Sequence, residues 1–91
     1  MNKKQVEKYL NHYFYSFDFD LNKNDKQIYL DVRDTDYKTI LMLKIQYNNN
    51  IEKKIIYNKI IRLIKYFDFS YSLEFYDINE LKAFWGEKWV Y

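Results

Sequence analysis

The sequence predicts an α+β fold in one domain, with the element order α-β-β-β-α-β-α and an antiparallel three-stranded meander packed on a central helix. Three observations predict it. A helical stripe runs between residues 48 and 67, apolar residues alternate with polar ones in three stretches before it, and those stretches pair apolar face with apolar face. The chain has 91 residues with no Pro, no repeat and no Gly-rich linker, so residues 1–91 are expected to form a single domain.

The first two helices are predicted from apolar residues that recur every three or four positions. The first helix is expected over residues 2–16, and its stripe comprises Val6, Leu10, Tyr13, Phe14 and, one position beyond, Phe17. The central helix begins after three asparagines, which are good N-cap residues. Its stripe comprises Ile56, Ile60, Leu63, Ile64 and Phe67, widened by Ile55, Ile61 and Tyr66. A helix this strongly patterned is expected to bury one face against the sheet.

The strands are predicted from alternation of period two, around residues 15–21, 28–33 and 39–47, with a short fourth strand near residues 71–76. Loops of four residues at 22–25 and 35–38 close the two hairpins. The expected inward pairs are Phe19–Ile28, Phe17–Leu30 and Tyr15–Val32, then Val32–Leu41, Leu30–Leu43 and Ile28–Ile45. The last helix then begins at a capping box, Asp77 and Glu80, carries Ile78, Leu81, Phe84 and Trp85 on its apolar face, and ends at Gly86.

The opposite face of the meander is expected to pair Asp31 with Met42, Tyr29 with Lys44 and Arg33 with Ile40. Tyr29, Ile40 and Met42 would then form an apolar centre surrounded by charges. Two hypotheses stay open for this centre. Either it contacts a partner, as uncovered apolar patches commonly do, or the last helix covers it through Trp85 and Trp89.

Charge is unevenly distributed, although the whole chain carries only +2. Residues 17–37 hold six Asp against two Lys and one Arg, which makes this part of the chain acidic. The candidate binding residues are therefore the acidic and aromatic residues of the hairpins and the outward sheet positions: Asp18, Asp20, Tyr29, Asp31, Asp34, Asp36, Tyr37, Ile40, Met42 and Lys44.

The chain lacks the residues that most catalytic sites require. There is no Cys and one His, His12, and one Gly cannot build a phosphate-cradling loop. We therefore expect no enzymatic activity, no cofactor and no metal site. No apolar run is long enough to cross a bilayer and no signal-peptide pattern follows Lys3 and Lys4, so a cytoplasmic protein without membrane contact is expected.

The order α-β-β-β-α-β resembles the core of the PD-(D/E)-x-K nuclease family, in which a metal-binding Asp on the second strand faces a (D/E)-x-K on the third. Asp31 and Lys44 match two of these positions. Met42 stands where the family has a carboxylate, so a hard cation would lack an oxygen ligand. The resemblance thus implies a degenerate nuclease remnant rather than an active nuclease.

The opening α-β-β-β-α also resembles a double-stranded RNA-binding domain. That family uses a Gly-Pro-x-His loop and a lysine cluster at its second helix, of which only Lys53 and Lys54 have a counterpart here. Tyr29, Tyr37 and Tyr47 could instead stack single-stranded bases, but such sites also need a basic groove, and aspartates crowd the same surface. Binding of RNA or a single strand is therefore the alternative function, less favoured than a protein partner.

In size, helix-plus-three-strand plan and acidic hairpins, the chain is similar to some anti-CRISPR proteins of phages and mobile elements, which bind a nuclease complex and often present carboxylates where it expects phosphates. The resemblance implies a non-enzymatic inhibitor that acts in the host cytoplasm on a protein partner, a nucleic-acid-binding nuclease complex. Assembly into a homo-oligomer stays open as a further alternative.

Overall fold

The computed structural model describes residues 3–14, 16–66 and 71–86. The elements are α1 (Lys3–Tyr13), β1 (Ser16–Asn22), β2 (Gln27–Arg33), β3 (Thr39–Gln46), α2 (Asn50–Tyr66), β4 (Leu73–Phe75) and α3 (Ile78–Trp85). The α+β class and the element order follow the prediction. Predicted positions at Tyr15, Phe67 and Trp89 lie outside the described residues.

The four strands form one mixed sheet in the order β1-β2-β3-β4. The first three strands are antiparallel neighbours, as predicted, while β4 runs parallel to β3, so the sheet is four-stranded and mixed where a three-stranded antiparallel meander was expected. Helix α2 is the crossover between β3 and β4. Parallel neighbours need such a connection, because a tight turn can join only antiparallel strands.

The register of the second hairpin confirms the predicted pairs Ile28–Ile45, Leu30–Leu43 and Val32–Leu41. The predicted register of the first hairpin is wrong by two residues. Its observed inward pairs are Leu21–Ile28, Phe19–Leu30 and Phe17–Val32. Strand β1 continues to Asn22, whose side-chain oxygen accepts the backbone N–H groups of Asn24 and Asp25 and so shapes the following turn. A shift of two residues keeps the apolar side chains inward, since side chains alternate with period two.

An irregularity between Val32 and Arg33 changes the end of the second hairpin. Arg33 lies opposite Thr39 and Val32 opposite Leu41, so Ile40 has no opposite residue on β2. The predicted pair Arg33–Ile40 is therefore wrong. Ile40 is half-buried and packs against the core.

The core lies between one face of the sheet and the helices. Its fully buried members include Val6 and Leu10 of α1, Ile56 and Ile60 of α2, and the inward residues of β2 and β3. Two predicted stripe residues are solvent-exposed, Tyr13 at 48% and Tyr66 at 78%. Each is the last residue of its helix and lies at the edge of the stripe, where a tyrosine can keep its ring and hydroxyl in water.

The predicted caps are confirmed. Asn49 accepts the backbone N–H of Glu52 at 2.9 Å, and the Glu52 carboxylate accepts the backbone N–H of Asn48 at 3.2 Å. Asp77 likewise accepts the backbone N–H of Glu80 at 2.9 Å. Gly86 ends α3 with a φ of 62°, a conformation that favours glycine.

Helix α3 packs on the same side of the sheet as α2. Leu81 is fully buried in the shared core, the Phe75 and Phe84 ring centroids are 5.4 Å apart, and the Lys59 ammonium lies 4.8 Å from the centroid of a Trp85 ring. The hypothesis that Trp85 covers the opposite face is therefore wrong. Within the described ranges, no helix has the length and hydropathy needed to cross a bilayer.

Candidate functional site

The outer face is the sheet face that points away from the helices, and its side chains come from all four strands. Cross-strand pairing places them in two rows, Asp20–Tyr29–Lys44 and Asp18–Asp31–Met42–Glu74. Six of the predicted binding residues thus lie on one surface. The three described helices bury their apolar residues in the core on the other side and leave this surface uncovered.

Asp31 is a charged residue of the outer face, yet it is only 2% exposed, and hydrogen bonds hold its carboxylate in place. Its Oδ2 accepts hydrogen bonds from Arg33 Nε at 3.1 Å and Nη2 at 2.9 Å, and its Oδ1 accepts one from Thr39 Oγ1 at 3.2 Å. The pairing irregularity makes this possible, because it sets Thr39 opposite Arg33. The bond to Asp31 and its negative charge raise the pKa of Arg33. Both carboxylate oxygens of Asp31 are thus engaged inside the protein.

Tyr76 and Glu74 extend the outer face at the β4 edge. The Tyr76 hydroxyl donates to Glu74 Oε2 at 3.1 Å and lies 3.5 Å from Met42 Sδ. The hydrogen bond to Glu74 and its negative charge raise the pKa of Tyr76. Tyr29 and Met42 are half-buried and Tyr76, beside Met42, is 53% exposed. Since Ile40 packs against the core, Tyr29, Met42 and Tyr76 replace the predicted apolar centre of Tyr29, Ile40 and Met42. Sequence reasoning missed Glu74 and Tyr76 because it did not place the fourth strand beside the third.

The turn between β2 and β3 holds the other acidic candidates. Asp34 Oδ1 accepts the backbone N–H groups of Asp36 at 2.9 Å and Lys38 at 3.0 Å, so its carboxylate shapes the turn. Asp36 is exposed. Tyr37 is 67% exposed and has a φ of 61°, which is costly for a residue with a side chain. Unlike the residues of the outer face, these three lie beyond the strand ends.

The described residues of the outer face form no cluster that could hold a metal ion. Asp31 and Lys44 share it, as the nuclease resemblance requires, but the Asp31 oxygens are occupied. Across residues 3–14, 16–66 and 71–86, no group of three or more His, Cys, Asp or Glu side chains could hold a metal ion. The outer face presents two half-buried side chains, Tyr29 and Met42, beside exposed carboxylates, an arrangement suited to binding.

No protein-family model, no curated protein sequence and no solved structure matches this chain. The function is therefore inferred from the chemistry of its surfaces.

Proposed function

We propose that this protein is a non-enzymatic binding module that docks a basic protein partner onto the outer face. The observation that carries the proposal is the sheet surface that the described helices leave uncovered, on which half-buried Tyr29 and Met42 lie among the exposed carboxylates Asp18, Asp20 and Glu74. An apolar centre with a polar rim is the usual anatomy of a protein interface. A monomer gains little from keeping such a centre in contact with water.

The charges of the outer face favour a basic partner. Asp18 and Asp20 are exposed and two residues apart on β1, so their side chains project about 7 Å apart on the same face. Asp31 is neutralised by Arg33, which leaves Asp18, Asp20 and Glu74 as the carboxylates that a partner would meet. Complementary charge of this kind mainly raises association rate and selects among partners.

The partner class that we propose is a nucleic-acid-binding nuclease complex in the host cytoplasm. Such a complex has a basic surface for phosphates, and carboxylates on a rigid sheet could occupy it. The resemblance in size and acidic hairpins to anti-CRISPR inhibitors supports this choice by analogy. Direct binding of nucleic acid to the outer face is disfavoured, because the same carboxylates would repel phosphates.

A capture experiment with a matched charge control tests the proposal. The immobilised protein is incubated with nuclease-treated lysate of its host cell, beside the double variant Asp18→Asn/Asp20→Asn. The control is Glu7→Gln/Asp25→Asn, which removes the same charge from helix α1 and the first turn. We expect a basic protein to be retained by the parent and the control and lost by the outer-face variant.

Association kinetics with the captured protein provide the quantitative test. The outer-face double variant should associate about tenfold more slowly at low salt, with a similar dissociation rate, because charges steer the encounter. The difference should shrink as salt rises, since exposed charges are screened within about 8 Å at physiological ionic strength. Equal association rates of parent and variant, or a rate that does not depend on salt, would contradict the proposal.

A further inference from the structure

The opposite side of the molecule carries a second surface, here called the aromatic cleft, formed by Lys8, Tyr9, His12 and Tyr13 of α1 with Lys65 and Tyr66 of α2. The Tyr9 and Tyr13 rings are parallel within 6°, with centroids 6.3 Å apart, and the His12 ring meets Tyr13 edge-on at 4.7 Å. The Lys65 ammonium lies 5.5 Å from the Tyr9 centroid and 5.7 Å from that of Tyr66. Three tyrosine rings and a lysine ammonium therefore lie side by side along one surface.

The exposed rings at the ends of the two helices are available for contact with a ligand. Tyr13 and Tyr66 are 48% and 78% exposed, while the core between α1 and α2 is closed by Val6, Leu10 and Ile60. Beside the rings lies an open groove of about 760 Å³, lined in part by Lys8, Tyr9, Tyr13 and Lys65. This volume falls within the usual range of ligand sites.

Positive charge is concentrated on the same side. Helices α1 and α2 together contain eight Lys or Arg residues and two Glu, which gives them +6, whereas the whole chain carries +2. The aspartates of β1 and β2 project from the other face of the sheet. An anionic ligand is thus attracted to the helical side and repelled from the outer face.

We propose that the aromatic cleft binds single-stranded nucleic acid. Unpaired bases stack on the exposed rings of Tyr13 and Tyr66, and Lys8 and Lys65 contact the phosphates. Aromatic platforms beside a basic groove are the usual means of binding a single strand without reading its sequence. A duplex keeps its bases paired and cannot present them to the rings. This site is separate from the outer face and does not depend on the proposed protein partner.

Fluorescence anisotropy with a fluorescein-labelled oligo(dT) of about twelve nucleotides tests the cleft at low salt, a length within the site sizes of single-strand binders. We expect Tyr13→Ala to weaken binding about tenfold, while Tyr13→Phe retains the ring and stays within about twofold of the parent. Lys65→Ala should weaken binding and reduce the salt slope by about 0.7, the value of one phosphate contact on a single strand. The matched controls Tyr37→Ala, in the turn between β2 and β3, and Lys44→Ala, on the outer face, should bind like the parent.

Tyr66→Ala removes a ring from the other helix. Because the Tyr66 side chain is 78% exposed, we expect this substitution to leave folding intact. It should also weaken binding several-fold with an unchanged melting temperature. The proposal is overturned if oligo(dT) does not bind, if both alanine variants bind like the parent, or if polyphosphate, an acidic peptide or a DNA duplex of the same length competes as well as unlabelled oligo(dT). The last result would show an attraction for negative charge without base stacking.

Discussion

The two faces of the same sheet have opposite characters, although their residues alternate along the same strands. On the inner face, Ile28, Leu30, Leu41, Leu43 and Ile45 are all 0% exposed beneath the helices. On the outer face, their immediate neighbours are half-buried or exposed and of mixed charge, with Asp31 as the exception. Every second residue of β2 and β3 must therefore be apolar, because its side chain fills the core. The residues between them are free to serve binding, which is why a surface of this kind is informative about function.

Removing a large inner-face side chain should give the largest effect. Leu43 pairs with Leu30 on one side and with Phe75 on the other, so Leu43→Ala leaves a cavity in the middle of the core. We expect a loss of about 2–5 kcal/mol in the free energy of unfolding, measured by urea denaturation. Lys44→Ala, one residue further on the outer face, is the matched control and should change it by no more than about 0.5 kcal/mol. Similar losses in the two variants would abolish the distinction between the faces.

The same contrast explains which structural features could be predicted from the sequence. The inner face could be predicted because a one-residue slip in β2 or β3 would expose its whole apolar set. The first hairpin was predicted two residues out of register, since Asn22 fits either a strand or a turn and both registers keep Phe17 and Phe19 inward. The parallel pairing of β4 could have been expected from the β-α-β order, and with it the positions of Glu74 and Tyr76.

The outer-face site was harder to predict because its key features are irregular. Nothing in the pattern of β2 and β3 indicates that Ile40 loses its opposite residue, which brings Thr39 level with Arg33. The network around Asp31 depends on that irregularity. The aromatic cleft was missed for another reason. Helical spacing alone assigns Tyr13 and Tyr66 to the apolar stripes, and only tertiary packing shows that they face solvent.

The second-largest effect should come from the one outer-face residue that is buried. Asp31→Ala leaves Arg33 and Thr39 without their shared acceptor, and we expect it to lower the free energy of unfolding by about 1–3 kcal/mol. Asp20→Ala is the control, since Asp20 is exposed on the same face. Its change should stay within about 0.5 kcal/mol. If Asp31→Ala is as harmless as Asp20→Ala, the hydrogen bonds of Asp31 do not stabilise the folded chain.

A smaller effect is expected from Tyr57 on the inner side, whose buried hydroxyl has no hydrogen-bond partner among the described residues. Burial raises its pKa to about 12, above the ordinary value near 10. As pH rises, the unfolded chain therefore releases this proton before the folded chain does. Ionisation stabilises the unfolded chain, so the free energy of unfolding falls as pH rises from about 10 through about 12. Tyr57→Phe should remove this part of the loss.

Urea denaturation of the parent and Tyr57→Phe at neutral pH and across the alkaline range measures the difference. At neutral pH the variant should equal the parent or exceed it by up to about 1 kcal/mol, because an unbonded buried hydroxyl is replaced by an apolar ring edge. At alkaline pH the gap should widen in favour of the variant. Parallel stability curves for the two proteins would show that Tyr57 keeps the same pKa in the folded and unfolded chains.

The smallest effect on folding should come from Met42→Ala. This variant tests whether the folded chain leaves the outer face open to a partner. Met42 is half-buried, touched by the Tyr76 hydroxyl and not covered by the described helices, so Met42→Ala should lower the free energy of unfolding by no more than about 0.5 kcal/mol. The neighbouring inner-face variant Leu41→Ala should lose several times more. Binding should respond in the opposite order, because truncating an anchor at the centre of an interface costs about 2 kcal/mol of affinity for the captured partner. A stability loss above about 2 kcal/mol in Met42→Ala would mean that the folded chain itself buries this side chain, and the outer face could then not be the binding surface.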